Sequence, residues 1–276
     1  MPSPTIAFLG PEGTFAHLVA KKRFGRRAKF VPAMTIDEVF AFVAQNRHSR
    51  GIVPIENSSG GTIYETVDKL VDFNSRLLVQ EALSMNVRLA LLGKDRKKIE
   101  VIYSHFAPLH HCKTWLQKNF PNVKRLALDS TATAVKKAAT QDNAAAIGRR
   151  DAARRYGLKV LEFPIEQDFV NVTQFFVLGH GQSRAKENSR TSVIFTLPNH
   201  AGSLYDFLTP FKNEGVNLSR IISRPIAGKP DTYVFLADLA GTASQKNVQA
   251  ALKKAAAVAS SMKNIGSYPV RSPYNS

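Results

Sequence analysis

The order of segments in this chain predicts an α/β protein of two domains. Over the first two thirds, short apolar runs bounded by turn residues alternate with helical patterns. A polar, turn-rich stretch without periodicity follows at residues 179–188, which marks the main domain boundary. Beyond it the order of elements changes.

Residues 6–9, Ile-Ala-Phe-Leu ahead of Gly10 and Pro11, read as the first strand. The runs at 51–55, 87–92, 101–103, 144–147 and 175–178 read as strands for the same reason. Helices are expected between them at 14–24, 35–46, 62–71, 109–119, 130–140 and 148–156. Such alternation argues for mainly parallel sheets. After the boundary come strand 191–197, helix 203–214, strands 216–223 and 232–239, helix 244–260 and a short strand at 264–268. This is βαββαβ, a ferredoxin-like unit, and the pattern alone says nothing about ligand.

At 276 residues, 44% hydrophobic and 21% charged, the chain can bury the cores of two ordinary globular domains. A single cysteine, Cys112, excludes an internal disulfide and a multi-cysteine metal site and suggests a reducing compartment. The first fifteen residues hold no basic leader and no long apolar run, so neither a secretory signal nor a membrane span is expected and a cytoplasmic location follows by default. The net charge of +17 is spread over scattered pairs such as Lys97-Lys98 and Arg154-Arg155, without aromatic interleaving. That pattern fits a solvated surface attractive to small anions better than a specific nucleic-acid site or a membrane face.

The densest chemistry lies at residues 171–179, Asn171-Val172-Thr173-Gln174-Phe175-Phe176-Val177-Leu178-Gly179, where a hydroxyl and two amides stand at the mouth of a buried strand. Buried polar groups need partners. Three helix starts could supply donors: Gly13-Thr14, the run from Asn57 to Thr62, and Asp129-Ser130-Thr131. Each alone is an ordinary cap; as a set they suit an anion without an arginine clamp. Gly10-Pro11-Glu12-Gly13 lacks a dinucleotide fingerprint, no Walker lysine or nucleophile elbow occurs, and the adjacent His110 and His111 have no metal-ligand spacing. Cys112 reads as a core residue. A reaction fitted to these residues needs anion binding and one proton donor, with neither metal nor cofactor.

Taken with Gly10-Pro11-Glu12-Gly13-Thr14-Phe15, Pro54-Ile55-Glu56-Asn57-Ser58-Ser59-Gly60-Gly61, Ser104-His105 and Ser130-Thr131-Ala132-Thr133-Ala134, the stretch resembles the active-site segments of prephenate dehydratases in order and spacing. Asn199-His200-Ala201-Gly202-Ser203-Leu204 and Ser223-Arg224-Pro225 resemble the effector loops of the ACT domain that accompanies them. The resemblance implies a two-lobed, periplasmic-binding-protein-like catalytic domain at residues 1–180, with lobes of about 1–82 plus 164–180 and 83–163. An ACT domain would occupy 190–270. It implies decarboxylating dehydration of prephenate to phenylpyruvate in phenylalanine biosynthesis, feedback control by phenylalanine, and a homodimer or homotetramer.

By the same resemblance Thr173 is the proton donor to the leaving hydroxyl. Thr14, Glu56, Asn57, Ser58, Gly61, Ser104, His105, Ser130, Thr131, Asn171, Gln174 and Phe175 would bind substrate, and Asn199, Ala201, Gly202, Ser203, Leu204, Ser223, Arg224 and Pro225 the effector. Four places depart from the family pattern. Gln174 stands for the arginine of Thr-Arg-Phe, Ile222 for a glutamate before Ser-Arg-Pro, Phe106-Ala107 for Pro-Gln, and His111 for the glutamine before cysteine. Glutamine offers one neutral donor where arginine presents a charged fork, so arginine at 174 is expected to raise affinity for a dianion. The altered wall leaves arogenate or another cyclohexadienyl acid as an alternative substrate, and a non-catalytic amino-acid-binding protein as an alternative from a different class.

Overall fold

The structure is a computed structural model that describes residues 4–183, 188–226 and 228–276. The expected boundary at 179–188 therefore falls in part, at 184–187, outside the described residues. Along the chain run β1 (Thr5–Leu9), α1 (Phe15–Phe24), β2 (Lys29–Ala33), α2 (Ile36–Gln45), β3 (Arg50–Asn57), β4 (Gly61–Thr62), α3 (Tyr64–Leu70) and β5 (Leu78–Asn86). Next come β6 (Ala90–Gly93), β7 (Val101–Ser104), α4 (Phe106–His111), α5 (Lys113–Asn119), β8 (Lys124–Ala127), α6 (Thr131–Ala139), β9 (Ala144–Gly148), α7 (Ala152–Arg155), β10 (Lys159–Glu162) and β11 (Val172–Gly179). The last part holds β12 (Ser189–Thr196), α8 (Ser203–Asn213), β13 (Leu218–Pro225), β14 (Tyr233–Ala240), α9 (Lys246–Val258), β15 (Ser261–Pro269) and β16 (Tyr274–Asn275).

Contacts divide the chain into two compact units. The first contains residues 1–56, 62–84 and 174–273; the second contains 57–61, 85–173 and 274–276. Strands β3, β5 and β11 each pass from one unit to the other, between Glu56 and Asn57, Ser84 and Met85, and Thr173 and Gln174.

In the first unit β1 pairs in parallel with both β2 and β3, within a sheet of order β16-β5-β11-β3-β1-β2. Helices α1 and α2 start where the threonine side chains at 14 and 35 take up free N–H groups. Thr35 caps α2 by accepting from Glu38 N, and Glu38 in return accepts from Met34 N at 2.8 Å. The βαββαβ order is present as expected, as an antiparallel sheet β13-β14-β12-β15. Alternation sends successive side chains of β12 to opposite faces. Val193 and Phe195 meet α8 and α9, where Phe195 stacks on Phe207 with ring centroids 3.7 Å apart. Ile194 instead joins Leu236, Ile265 and Tyr268 in the core that also holds Val39, Val53, Val79 and Phe176. One hydrophobic core thus serves both sheets of this unit.

The second unit is built on a sheet of order β10-β6-β9-β7-β8. Its centre, β9, is the fully buried run Ala-Ala-Ala-Ile-Gly, covered by Ala134, Val135 and Ala138 of α6. The pairing is mixed rather than mainly parallel: β7 runs parallel to β8 and β9, while β6 is antiparallel to β9 and β10. The helix expected at 109–119 is two helices meeting at Cys112, and that expected at 148–156 shortens to four residues. Among the described residues no helix is long and apolar enough to cross a membrane.

Candidate active site

In the second unit the end of β3 and the start of β11 converge on one hydrogen-bonded group. Asn57 Nδ2 donates to Thr173 Oγ1 at 2.9 Å and to Asn171 Oδ1 at 3.1 Å. Its carbonyl oxygen accepts from the backbone N–H groups of Ser59 and Gly60, both at 2.9 Å, and so shapes the turn that follows. Ser58 fastens the turn to β11: its N–H donates to Val172 O, and its hydroxyl donates to Val170 O and accepts from Val172 N. Gly61, with φ +76°, leads the chain out of the turn.

Asn171 is held in turn by Gln167 at 3.1 Å and by Nδ1 of His111 at 3.0 Å. Burial and then the neighbouring His110 push the His111 pKa below the ordinary histidine value, against the opposing pull of Asp168. The imidazole is therefore neutral, with Nδ1 as acceptor and Asn171 as donor. This leaves the half-buried Thr173 with its oxygen occupied by Asn57 and its own proton free to be given, since the Thr173 hydroxyl makes no other hydrogen bond among the described residues. Accepting a hydrogen bond polarises a hydroxyl toward donation.

The other expected residues of this unit fall into two groups. Ser130 caps α6 by accepting from Thr133 N at 3.0 Å, and the amides at Thr131 and beyond open the helix. His105 begins α4 with its ring 4.3 Å from that of the exposed Phe106. Ser104, however, is fully buried and donates to Ile147 O at 2.7 Å, so its hydroxyl ties β7 to β9. Cys112 is a core residue as expected, its thiol pushed up to about 12 by burial and by Asp168.

In the first unit Thr14 donates to Leu9 O and caps α1 through His17 N. Phe175 lies in the core at 2% exposure. Glu56 and Gln174 meet a residue that sequence reading missed. Arg220 of β13 donates to Glu56 Oε2 at 2.7 and 3.1 Å, to Gln174 Oε1 at 2.9 Å and to Asp238 Oδ2 at 2.5 Å. Its guanidinium stands 5.5 Å from the Phe176 ring centre. Burial works against the charge, but Asp238 and Glu56 outweigh it and raise the Arg220 pKa. Gln174 thus lies beside a guanidinium whose charge two carboxylates already balance.

Around the second set of loops, Gly202 takes φ +90° before α8, and Ser203 Oγ bonds His200 O and Nδ1 at 2.9 and 3.0 Å. Leu204 is exposed and Ile222 packs on the shared core. Asn199 and Ala201 lie in the exposed turn before the helix, while Ser223 and Pro225 lie on the exposed side of β13. Arg224, between them, turns inward to grip Asp68 with two bonds of 2.5 and 2.7 Å.

Residues 6–183 match the family model for prephenate dehydratase, and residues 191–257 match that for the ACT domain. A bifunctional chorismate mutase/prephenate dehydratase of Stutzerimonas stutzeri is 36% identical over 96% of this chain and 73% of its own length. A prephenate dehydratase from Arthrobacter aurescens, solved with L-Phe, superposes with a TM-score of 0.84 at 28% identity, covering 96% of this chain and 89% of that one. GqqA, described as a quorum quenching acylase, superposes with a TM-score of 0.87 over 97% of this chain and 98% of its own, but at 21% identity that likeness concerns the fold alone.

Proposed function

Because the chain belongs to the prephenate dehydratase family, we propose a division of labour among its residues for that reaction. The enzyme is a carbon–oxygen lyase that converts prephenate to phenylpyruvate, carbon dioxide and water in phenylalanine biosynthesis, under feedback control through its ACT domain. The single observation that carries the assignment of roles is the Asn57–Thr173 hydrogen bond, which occupies the acceptor side of the threonine and leaves its proton to give.

Thr173 donates to the hydroxyl leaving from the ring. As that C–O bond breaks, the electrons of the C–CO2 bond move into the ring, carbon dioxide departs, and the threonine proton is replaced from water. Aromatisation supplies the driving force, so the protein must stabilise developing charge on the departing oxygen and hold both leaving groups in alignment. The amides opening α6 after Ser130, with the positive end of that helix, suit a substrate carboxylate. Asn171, fixed by His111 and Gln167, holds Asn57 from the other side. Phenylalanine is the effector, taken up by the loops at 199–204 and 223–225.

Incubating purified protein with prephenate and with arogenate, and following phenylpyruvate and phenylalanine respectively, tests the reading. Faster turnover of arogenate would transfer the site to that substrate, and no turnover of either would leave an amino-acid-binding protein.

A further inference from the structure

Resting on that reading, we infer that Arg220 is a positioning residue for the dehydration, through which the regulatory sheet holds the strands that carry Asn57 and Thr173. Glu56 immediately precedes Asn57 on β3, and Gln174 immediately follows Thr173 on β11. Arg220 bonds both, with one planar group reaching two strands that the sequence separates by more than a hundred residues. A guanidinium presents its donors in a rigid fork, so a shift of β13 is passed to both strands together.

The same face of β13 grips the chain a second time. Alternation along the strand points Arg220, Ile222 and Arg224 inward and leaves Ser219, Ile221, Ser223 and Pro225 exposed. Arg224 binds Asp68 on α3 with a bidentate pair, while Ile222 packs on the shared core. Glu56 and Asp68 lie on either side of the 57–61 turn in sequence. One strand therefore anchors the chain before and after the turn that holds Asn57 and Ser58. The segment 223–225 is the end of that strand.

Stability alone is a poor account of this arrangement. Asp238 has no exposed surface, and Arg220 keeps only 6% of its side chain exposed. A buried ion pair gains little over well-packed apolar residues of the same volume, yet it defines geometry tightly. On its far side Asp238 accepts from Ser192 Oγ, which bonds Tyr268 Oη at 2.6 Å, so the fork is anchored across three strands of the regulatory sheet.

The test uses the full chain and begins with the wild type, whose turnover of prephenate decides the functional reading by itself. In Arg220→Lys, which keeps the charge and loses the fork, kcat should fall about tenfold or more with KM within about threefold. Amide hydrogen exchange at residues 57–61 should accelerate, a readout that does not depend on substrate, and inhibition by phenylalanine should weaken. Should Arg220→Lys fail to fold, Gln174→Leu leaves the Arg220–Asp238 and Arg220–Glu56 pairs intact and carries the same comparison. Unchanged kcat and unchanged exchange in Arg220→Lys or Gln174→Leu would overturn the inference.

Discussion

Asn57 donates to the hydroxyl oxygen of Thr173 at 2.9 Å, while its own carbonyl oxygen takes the amides of Ser59 and Gly60. One side chain therefore shapes the turn and orients the Thr173 hydroxyl, the proposed proton donor. The two functions are coupled through a planar amide whose ends are both occupied. A carboxylate of the same size at position 57 could still shape the turn, but it could not donate to Thr173.

Thr173→Val keeps the shape and removes the donor, so kcat should fall on the order of 100-fold or more with little change in KM. Thr173→Ser, which retains a hydroxyl, should recover most of that activity, and Asn57→Asp should impair kcat without unfolding the turn. Steady-state kinetics of the three variants checks the set; a Thr173→Val enzyme within about threefold of wild type would remove the threonine from the chemistry.

Acidification should loosen the support behind Asn171. The His111 pKa is depressed by burial and by His110, so between its folded value and the unfolded value of 6.5 the unfolded chain binds more protons. Stability is then complete above about 6.5 and declines as pH falls toward the folded value, because protonated Nδ1 can no longer accept from Asn171. Replacing the imidazole by a neutral acceptor in His111→Gln should flatten this part of the profile. Urea unfolding of both proteins at pH 7.5 and 5.5 measures the difference, and identical slopes would count against it.

Phenylalanine should bind the regulatory domain and inhibit, with a coupling of about 1–3 kcal/mol that must appear equally in the effect of substrate on effector affinity. Gly202 takes φ +90°, a conformation that disfavours side chains, so Gly202→Val should distort the start of α8 and abolish the response while leaving uninhibited turnover near wild type. Calorimetry and inhibition curves at millimolar-scale phenylalanine provide the check, and absence of both heat and inhibition in the wild type contradicts the expectation.

At Gly266 the regulatory sheet lies close against β5. A Cβ there would stand 2.4 Å from Val79 O and 3.1 Å from Val79 N, and the residue takes φ +142°. Gly266→Ala must therefore move backbone, and a loss of about 2–4 kcal/mol is expected in equilibrium denaturation. A change below about 0.5 kcal/mol would mean that the two sheets separate here at little cost.

What could be read before folding, and what could not, divides along physical lines. Central strands such as β9 announce themselves because both faces are buried and the run is wholly apolar. Lys29–Ala33, Lys124–Ala127 and Lys159–Glu162 escaped notice, and all three lie at sheet edges, where one flank meets solvent and polar residues intrude. β5 was missed for another reason: Gln80 and Glu81 interrupt its apolar pattern, and each is satisfied by a distant partner, Gly181 and the Arg23–Arg271 pair.

By itself the sequence determined the order of elements, the βαββαβ unit, the family, and the segments that bring Asn57, Asn171 and Thr173 to one place, since these depend on local patterning and on motifs contiguous in the chain. Only the tertiary structure decided which motif residues face which partners. It turned Ser104 and Phe175 inward, because strands send alternate side chains to opposite faces. It also set Arg220 against Glu56, 164 positions away, where no local pattern could announce it. A buried charge is tolerated only where folding brings carboxylates to it, and that meeting is a property of the packed sheets alone.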